Sequence, residues 1–217
     1  MSQRRLRVMR IIFETENRQS NGPAIFLDRD GVINRRKPND YVLEWSQFVF
    51  IPGIRKALRE LSSLGLPLLL ISNQAAVGKG LLARSALESI TRRLHETLST
   101  DGTTINAYYY CVHKADDGCD CRKPRPGLLV RAAVDFRVDM TRSIFIGDSE
   151  TDVQAAWAAG CEPILFGSGV RKSSGLEDWA AGVAIASTAE MLYQVGVERL
   201  RALPSHPLHH GPSKQLC

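Results

Sequence analysis

Apolar positions along this chain fall into two kinds of run that alternate from one end to the other. Short, nearly continuous apolar stretches of strand length cover residues 24–27, 66–71, 107–110, 143–146 and 163–166, with 183–186 as an edge candidate. Between them, hydrophobic residues recur at helical spacing: Ile54, Ala57, Leu58 and Leu61 within 53–64, then Leu87, Ile90, Leu94 and Leu98 within 84–98. Pro126-Gly127 opens a helix running to about residue 136, proline being well suited to a first turn. A helix over 151–159 stops at Gly160, and a closing helix covers 189–203. Strands alternating with helices predict an α/β fold: a doubly wound, mostly parallel, Rossmann-like sheet with helices on both faces. The segment 42–50 reads as a short hairpin, and no internal repeat is present.

With 217 residues, 44% of them hydrophobic, the chain can bury one good core, so a single domain is expected over 23–203. Residues 1–22 read as a loosely ordered extension and 204–217 as a mobile tail carrying His206, His209 and His210. The net charge of +5 raises the question of nucleic acid. Yet basic residues are dense only around Arg4, Arg5, Arg7 and Arg10 and at Arg35-Arg36-Lys37, a pattern that favours a basic surface attracting small anions. No stretch is long and apolar enough to span a bilayer. The N-terminus lacks a secretory hydrophobic region, and Glu14 and Glu16 oppose a transit-peptide reading. Five cysteines do not make a disulfide framework here, so a cytoplasmic monomer is expected.

The chemistry gathers where the strands end. The first apolar run leads straight into Asp28-Arg29-Asp30-Gly31, and residues i and i+2 of an extended segment face the same side. Two like charges placed that close are a poor structural choice, and ligands of open α/β sheets bind at the strands' carboxyl ends. The second run ends in Ser72-Asn73-Gln74 and the fourth in Gly147-Asp148-Ser149, with Asp152 just beyond, while Cys121-Arg122-Lys123-Pro124 lies between them. Two acids, a hydroxyl, a lysine and two more acids form the inventory for phosphoryl transfer to an aspartate. Asp28 and Asp148 would hold Mg²⁺ through hard oxygen donors, while Ser72 and Lys123 bind the phosphoryl oxygens.

Those residues resemble the haloacid dehalogenase superfamily of phosphotransferases, whose four motifs occur in that order. The likeness is carried by FLDRDGVIN, DYVLEWSQFVFIPG, SNQAAVGKG, CRKPRPGLL and FIGDSETDVQAAWAAG, spans about residues 23–166, and points to the histidinol-phosphatase and heptose-bisphosphatase branch. The resemblance implies a Mg²⁺-dependent phosphatase without a large cap domain, acting on a phosphorylated sugar, with a heptose bisphosphate ahead of histidinol phosphate or nucleic-acid ends. It implies Asp28 as nucleophile, Asp30 as general acid/base and, through its carbonyl, a further metal ligand. Ser72 and Lys123 would hold the phosphoryl group, Asp148 would complete the Mg²⁺ site, and Asn73, Gln74 and Arg122 would line the substrate pocket. For Asp30 to serve both proton transfers its pKa must lie above that of a free aspartate, which crowding by Asp28 would favour and nearby Mg²⁺ and Lys123 oppose. A bisphosphate needs a second cationic group, for which Lys79, Arg122 and Arg35-Arg36-Lys37 are the candidates.

A second constellation, Cys111-Val112-His113 followed by Cys119-Asp120-Cys121, offers three thiols and an imidazole in two close pairs. That set matches a closed, structural Cys₃His zinc site, the alternatives being reduced thiols or a disulfide. The intervening loop is polar, and Cys121 directly precedes Arg122 and Lys123, so Zn²⁺ would also position the phosphate-binding pair. The resembled branch carries a zinc loop here. Cys161 reads as a packed core thiol, and Trp45 as packing rather than a substrate contact.

Overall fold

The computed structural model of the chain describes residues 8–13, 21–37, 40–167 and 182–204. Strands β1 (Val8–Ile12), β2 (Ile25–Leu27), β3 (Leu68–Asn73), β4 (Ala107–Cys111), β5 (Ile144–Gly147), β6 (Glu162–Phe166) and β7 (Ala184–Ala186) form one sheet in the order β1-β4-β3-β2-β5-β6-β7. β1 runs antiparallel to β4, and every other neighbouring pair is parallel. The described α-helices are α1 (Ile54–Ser62), α2 (Ala75–Gly78), α3 (Arg84–Thr100), α4 (Gly127–Phe136), α5 (Glu150–Ala158) and α6 (Ala189–Ala202).

The continuous apolar runs are explained by burial on both faces of the sheet. Ile25, Leu27, Leu68, Leu70, Tyr108, Tyr110, Ile144 and Ile146 pack on one side with Leu58, Leu61, Leu94 and Leu192 of α1, α3 and α6. The alternate residues Phe26, Leu69, Ile71, Tyr109 and Phe145 pack on the other with Leu129, Ala132, Phe136 and Ala156 of α4 and α5. The period of two along each strand therefore divides one sheet between two cores, which is the doubly wound arrangement the alternation predicts.

Two segments depart from expectation. Residues 8–12 lie in the stretch expected to be loosely ordered, yet form an edge strand whose Met9 is buried. Residues 42–50 form no hairpin. Trp45–Gln47 make a 3₁₀ turn instead, with the Gln47 side chain accepting from the Leu43 amide at 2.9 Å. The segment is fastened to the first motif by Arg35 N–H donating to the Val49 carbonyl at 2.8 Å and Ile51 N–H to the Ile33 carbonyl at 3.0 Å. Trp45 stacks on Phe48 with ring centres 4.9 Å apart and meets Phe50 edge-on. The tail expected over 204–217 lies outside the described residues except for Pro204.

Candidate active site

Three adjacent parallel strands, β3, β2 and β5, end together and bring Ser72, Asp28 and Asp148 to one edge of the sheet. Asp28 still belongs to the sheet: its N–H donates to the Ile146 carbonyl at 2.9 Å. The chain then reverses within a few residues, Ile33 and Asn34 both donating to the Arg29 carbonyl and Gly31 to that of Asn34. Gly31 has φ +97°, and a Cβ there would fall 1.8 Å from Asp148 Oδ2. Only glycine gives both that backbone and the space in which the Asp148 carboxylate stands.

Lys123 comes from the loop before α4 and is almost fully buried. Its backbone is clasped to β3 by Asn73, whose side chain accepts from Lys123 N–H and donates to its carbonyl, both at 3.1 Å. Its ammonium lies 2.8 Å from Asp28 Oδ1, 2.6 Å from Asp152 Oδ1 and 3.1 Å from the Ile71 carbonyl. Burial alone would lower the lysine pKa; Asp152 and Asp28 outweigh it and raise it. Asp152 also accepts from the Ser149 amide, the Asp148 amide and the Ser149 hydroxyl through Oδ2, so it caps α5 while holding the lysine.

Asp28, Asp148 and Asp152 each place a carboxylate oxygen within 4.8 Å of the others. Burial first, then the neighbouring negative charges, push Asp28 up to about 6 despite Lys123. Burial and Asp28 push Asp148 up to about 7 despite Arg36, whose Nη2 lies 2.5 Å from Asp148 Oδ1. Carboxylates crowded in this way keep raised pKa values even beside Lys123 and Arg36, so a further positive charge suits them. Since Asp152 is engaged by Lys123 and the α5 cap, the oxygens of Asp28 and Asp148 are the ones that fit a hard divalent cation.

Asp30 does not show the raised pKa that service in both proton transfers requires. Burial does push it up, but Arg29 and the N–H donors of Asn34 and Gln74 prevail and hold it below the usual carboxylate range. Arg29 Nη2 lies 3.0 Å from Oδ1 and 2.9 Å from Oδ2, Asn34 Nδ2 2.8 Å from Oδ1, and Gln74 Nε2 2.7 Å from Oδ2. Gln74 thus stands buried behind the acids, also donating to Ser72 Oγ, rather than on the pocket wall where it was expected.

In front of these groups opens a cavity of about 540 Å³. Its wall includes Asp28, Asp30, Ser72, Asn73 and Lys123 together with the cations Arg36, Lys37, Lys79 and Arg122; Arg35 and Trp45 are not on it. The engagement of Arg29, Asn34 and Arg36 with the acids was missed by sequence reasoning. The one available signal was an arginine set between two aspartates at a strand end.

The cysteine and histidine candidates also meet. Cys121 Sγ lies 3.2 Å from His113 Nδ1 and 3.5 Å from Cys119 Sγ, and Cys111 Sγ lies 3.6 Å from each of His113 Nδ1 and Cys119 Sγ. These separations are far too long for a disulfide and approach the edges of about 3.5–3.8 Å that Zn–S and Zn–N bonds imply for a tetrahedron. A hydrogen bond from Cys121 draws Cys111 down to about 5 against the effect of burial, so the cluster favours a thiolate. Gly78 of α2 lets this loop come close: a Cβ there would lie 2.5 Å from the Val112 carbonyl. The loop has its own 3₁₀ turn, Ala115–Asp117, closed by Lys114 N–H donating to Asp117 Oδ2 at 2.9 Å. Cys161, the remaining described cysteine, is buried and donates to the Ser143 carbonyl.

Acids at the carboxyl ends of neighbouring parallel strands, met by a lysine from the loop before α4, define a phosphoryl-transfer enzyme of the haloacid dehalogenase type, and comparison with known proteins agrees. The HAD-hydrolase-like family model matches residues 120–192. The chain is 38% identical over 149 residues to the D-glycero-beta-D-manno-heptose-1,7-bisphosphate 7-phosphatase of Pseudomonas aeruginosa, covering 68% of this chain and 83% of that one. It is 37% identical over 174 residues to the D-glycero-alpha-D-manno-heptose-1,7-bisphosphate 7-phosphatase of Mycobacterium bovis, covering 75% and 90%. The crystal structure of D,D-heptose 1,7-bisphosphate phosphatase from B. bronchiseptica, complexed with magnesium and phosphate, superposes with a TM-score of 0.71 at 30% identity, covering 81% of this chain and 98% of that one. This chain belongs to the haloacid dehalogenase-like hydrolases, and within them it is a phosphoric monoester hydrolase. Among the described residues no large cap domain is present and no helix is long and apolar enough to cross a membrane.

Proposed function

We propose that this enzyme removes the 7-phosphate of D-glycero-D-manno-heptose 1,7-bisphosphate, leaving the 1-phosphate. The observation that carries the reading is the meeting of Asp28, Asp148 and Lys123 at one strand edge, under a cavity rimmed by Arg36, Lys37, Lys79 and Arg122. A doubly phosphorylated sugar would place one phosphate on the first group and the other against the second. Relatives named for that substrate support it.

Asp28 and Asp148, with the Asp30 carbonyl, would hold Mg²⁺, which when bound neutralises the carboxylates and the phosphoryl charge. Asp28 forms a bond to phosphorus as the ester P–O bond breaks; the proton that enters with the phosphate monoanion passes to Asp30, against the pull of Arg29, Asn34 and Gln74, and from it to the departing sugar oxygen. Water then attacks the aspartyl phosphate, the bond to Asp28 breaks, and the proton of that water passes to Asp30. The donors around Asp30 favour the carboxylate, the form needed in this second half. Ser72 and Lys123 bind the phosphoryl oxygens throughout, and Asp152 keeps Lys123 charged and in place. Zn²⁺ on Cys111, His113, Cys119 and Cys121 would fix the loop that carries Arg122 and Lys123. We assign the enzyme to the cytoplasm.

A kinetic panel tests the substrate: both anomers of the heptose bisphosphate, heptose 7-phosphate, other sugar phosphates and histidinol phosphate, each with Mg²⁺, and Asp28→Asn as the inactive control. The highest kcat/KM is expected for one bisphosphate anomer. A higher value for histidinol phosphate, or equal values for the mono- and bisphosphate, overturns the assignment.

A further inference from the structure

Among the described residues Arg29 is one of the largest fully buried side chains, at 1% exposure, and it is charged. A guanidinium is rarely hidden without a task, because its desolvation must be offset by partners. Its chief partner is the adjacent residue, with the Tyr110 hydroxyl beside it. Nη2 reaches both oxygens of Asp30, and Nε lies 3.3 Å from Oδ1. In an extended strand, side chains i and i+1 point to opposite faces. Here they meet because the chain turns at Gly31, and the turn is closed by two amides donating to the Arg29 carbonyl. The guanidinium carbon also lies 6.0 Å from the centre of the Phe48 ring, on which Trp45 stacks. Phe48 belongs to the segment that also supplies Asp40, Tyr41 and Val42 to the cavity wall.

We infer that Arg29 is the positioning residue for the acid–base carboxylate, fixing the plane of Asp30 and tying its placement to the Phe48 segment that walls the substrate cavity. A planar fork fixes both the distance and the orientation of a carboxylate, which a point charge cannot do. The inference rests on the phosphatase reading and does not depend on which sugar is the substrate.

Leaving-group chemistry separates this role from a merely structural one. A sugar alkoxide departs only with a proton from Asp30, whereas p-nitrophenolate departs without one. Both substrates then need Asp30 as base for hydrolysis of the aspartyl phosphate. For Arg29→Met, turnover of the sugar phosphate should fall about 100-fold, the low end of general acid–base contributions. Rapid mixing with p-nitrophenyl phosphate should still give a burst of one equivalent of p-nitrophenolate, at a rate within about threefold of wild type, followed by slow turnover. Arg29→Lys, which keeps the charge but not the fork, should show the same pattern at about a tenth of the loss and remains informative if the methionine variant does not fold. Equal losses in the burst and in sugar-phosphate turnover, or no loss in either variant, would overturn the inference. If wild type hydrolyses no heptose phosphate, β-glycerophosphate takes the place of the sugar ester, and the two readings fail separately.

Discussion

The ammonium of Lys123 lies 2.6 Å from Oδ1 of Asp152, a carboxylate delivered by the first turn of α5. Both are nearly inaccessible, at 3% and 2% of their side-chain surface. Taking one partner from a buried pair costs about 3–5 kcal/mol, and the low end applies here because Lys123 keeps Asp28 at 2.8 Å. Asp152→Asn is therefore expected to lower stability to urea by about 3 kcal/mol. It should also reduce kcat/KM, because the lysine loses the group that orients it toward Asp28. Equilibrium unfolding and steady-state kinetics on the same preparation check both effects.

Gly31→Ala puts a methyl carbon where Asp148 now stands. The strained φ costs about 1–3 kcal/mol, and displacement of the carboxylate removes half of the cation site. Mg²⁺ affinity should fall by more than tenfold by isothermal calorimetry, with a stability loss of about 2 kcal/mol.

The raised values of Asp28 and Asp148, about 6 and about 7 without a cation, set the direction of a pH effect. Each carboxyl holds its proton more tightly than a free aspartate, and that proton must leave before Mg²⁺ binds. Affinity should be full above pH 7 and weaken as the pH falls through 7 and then 6, by about tenfold per pH unit for each proton displaced. Calorimetry between pH 5.5 and 8 in two buffers of different ionisation enthalpy should also detect proton release. An affinity that is flat across that range would contradict the crowding of the two acids.

Cys119→Ser removes the most accessible of the three thiols that meet His113. Zinc content by mass spectrometry should fall from about one equivalent to a small fraction, and hydrogen exchange should quicken through residues 112–122. Activity should drop about tenfold, through loosening of Arg122 and Lys123 rather than through the chemistry itself. Loss of zinc with unchanged exchange and activity would show that the loop's 3₁₀ turn suffices to hold its shape.

Much of this arrangement was legible in the residues because it rests on local signals. Asp28, Ser72 and Asp148 each follow an uninterrupted apolar run, so a parallel sheet had to bring them to one edge. The pairs Cys111/His113 and Cys119/Cys121 flank a short loop that closes on itself. What escaped depends on contacts remote in sequence or on turns that override propensity. Val8–Ile12 is a strand because the edge of β4 is there to pair with it, and Arg10 interrupts its apolar pattern. The aromatic residues between 42 and 50 suggest a hairpin, but Trp45 and Phe48 satisfy each other and Gln47 turns the backbone locally. For Asp30 the residues offered Asp28 as an upward influence and Lys123 and Mg²⁺ as downward ones, but not the decisive one, the Arg29 fork that a sharp turn places directly on it. Gln74 precedes α2 with a backbone that is neither strand nor helix, which directs its amide back to the acids.

The antiparallel strand at the sheet margin bears on how the molecule behaves at high concentration. Unpaired strand edges invite chains to join one another, and charged side chains on a short terminal strand discourage it. Val8–Ile12 covers the tyrosine-rich edge of β4 and carries a charge, Arg10, itself paired with Asp135. Trimming the chain past residue 12 would strip this guard and uncover the Tyr108–Cys111 edge, leaving a protein prone to aggregate although every group in the cavity is intact.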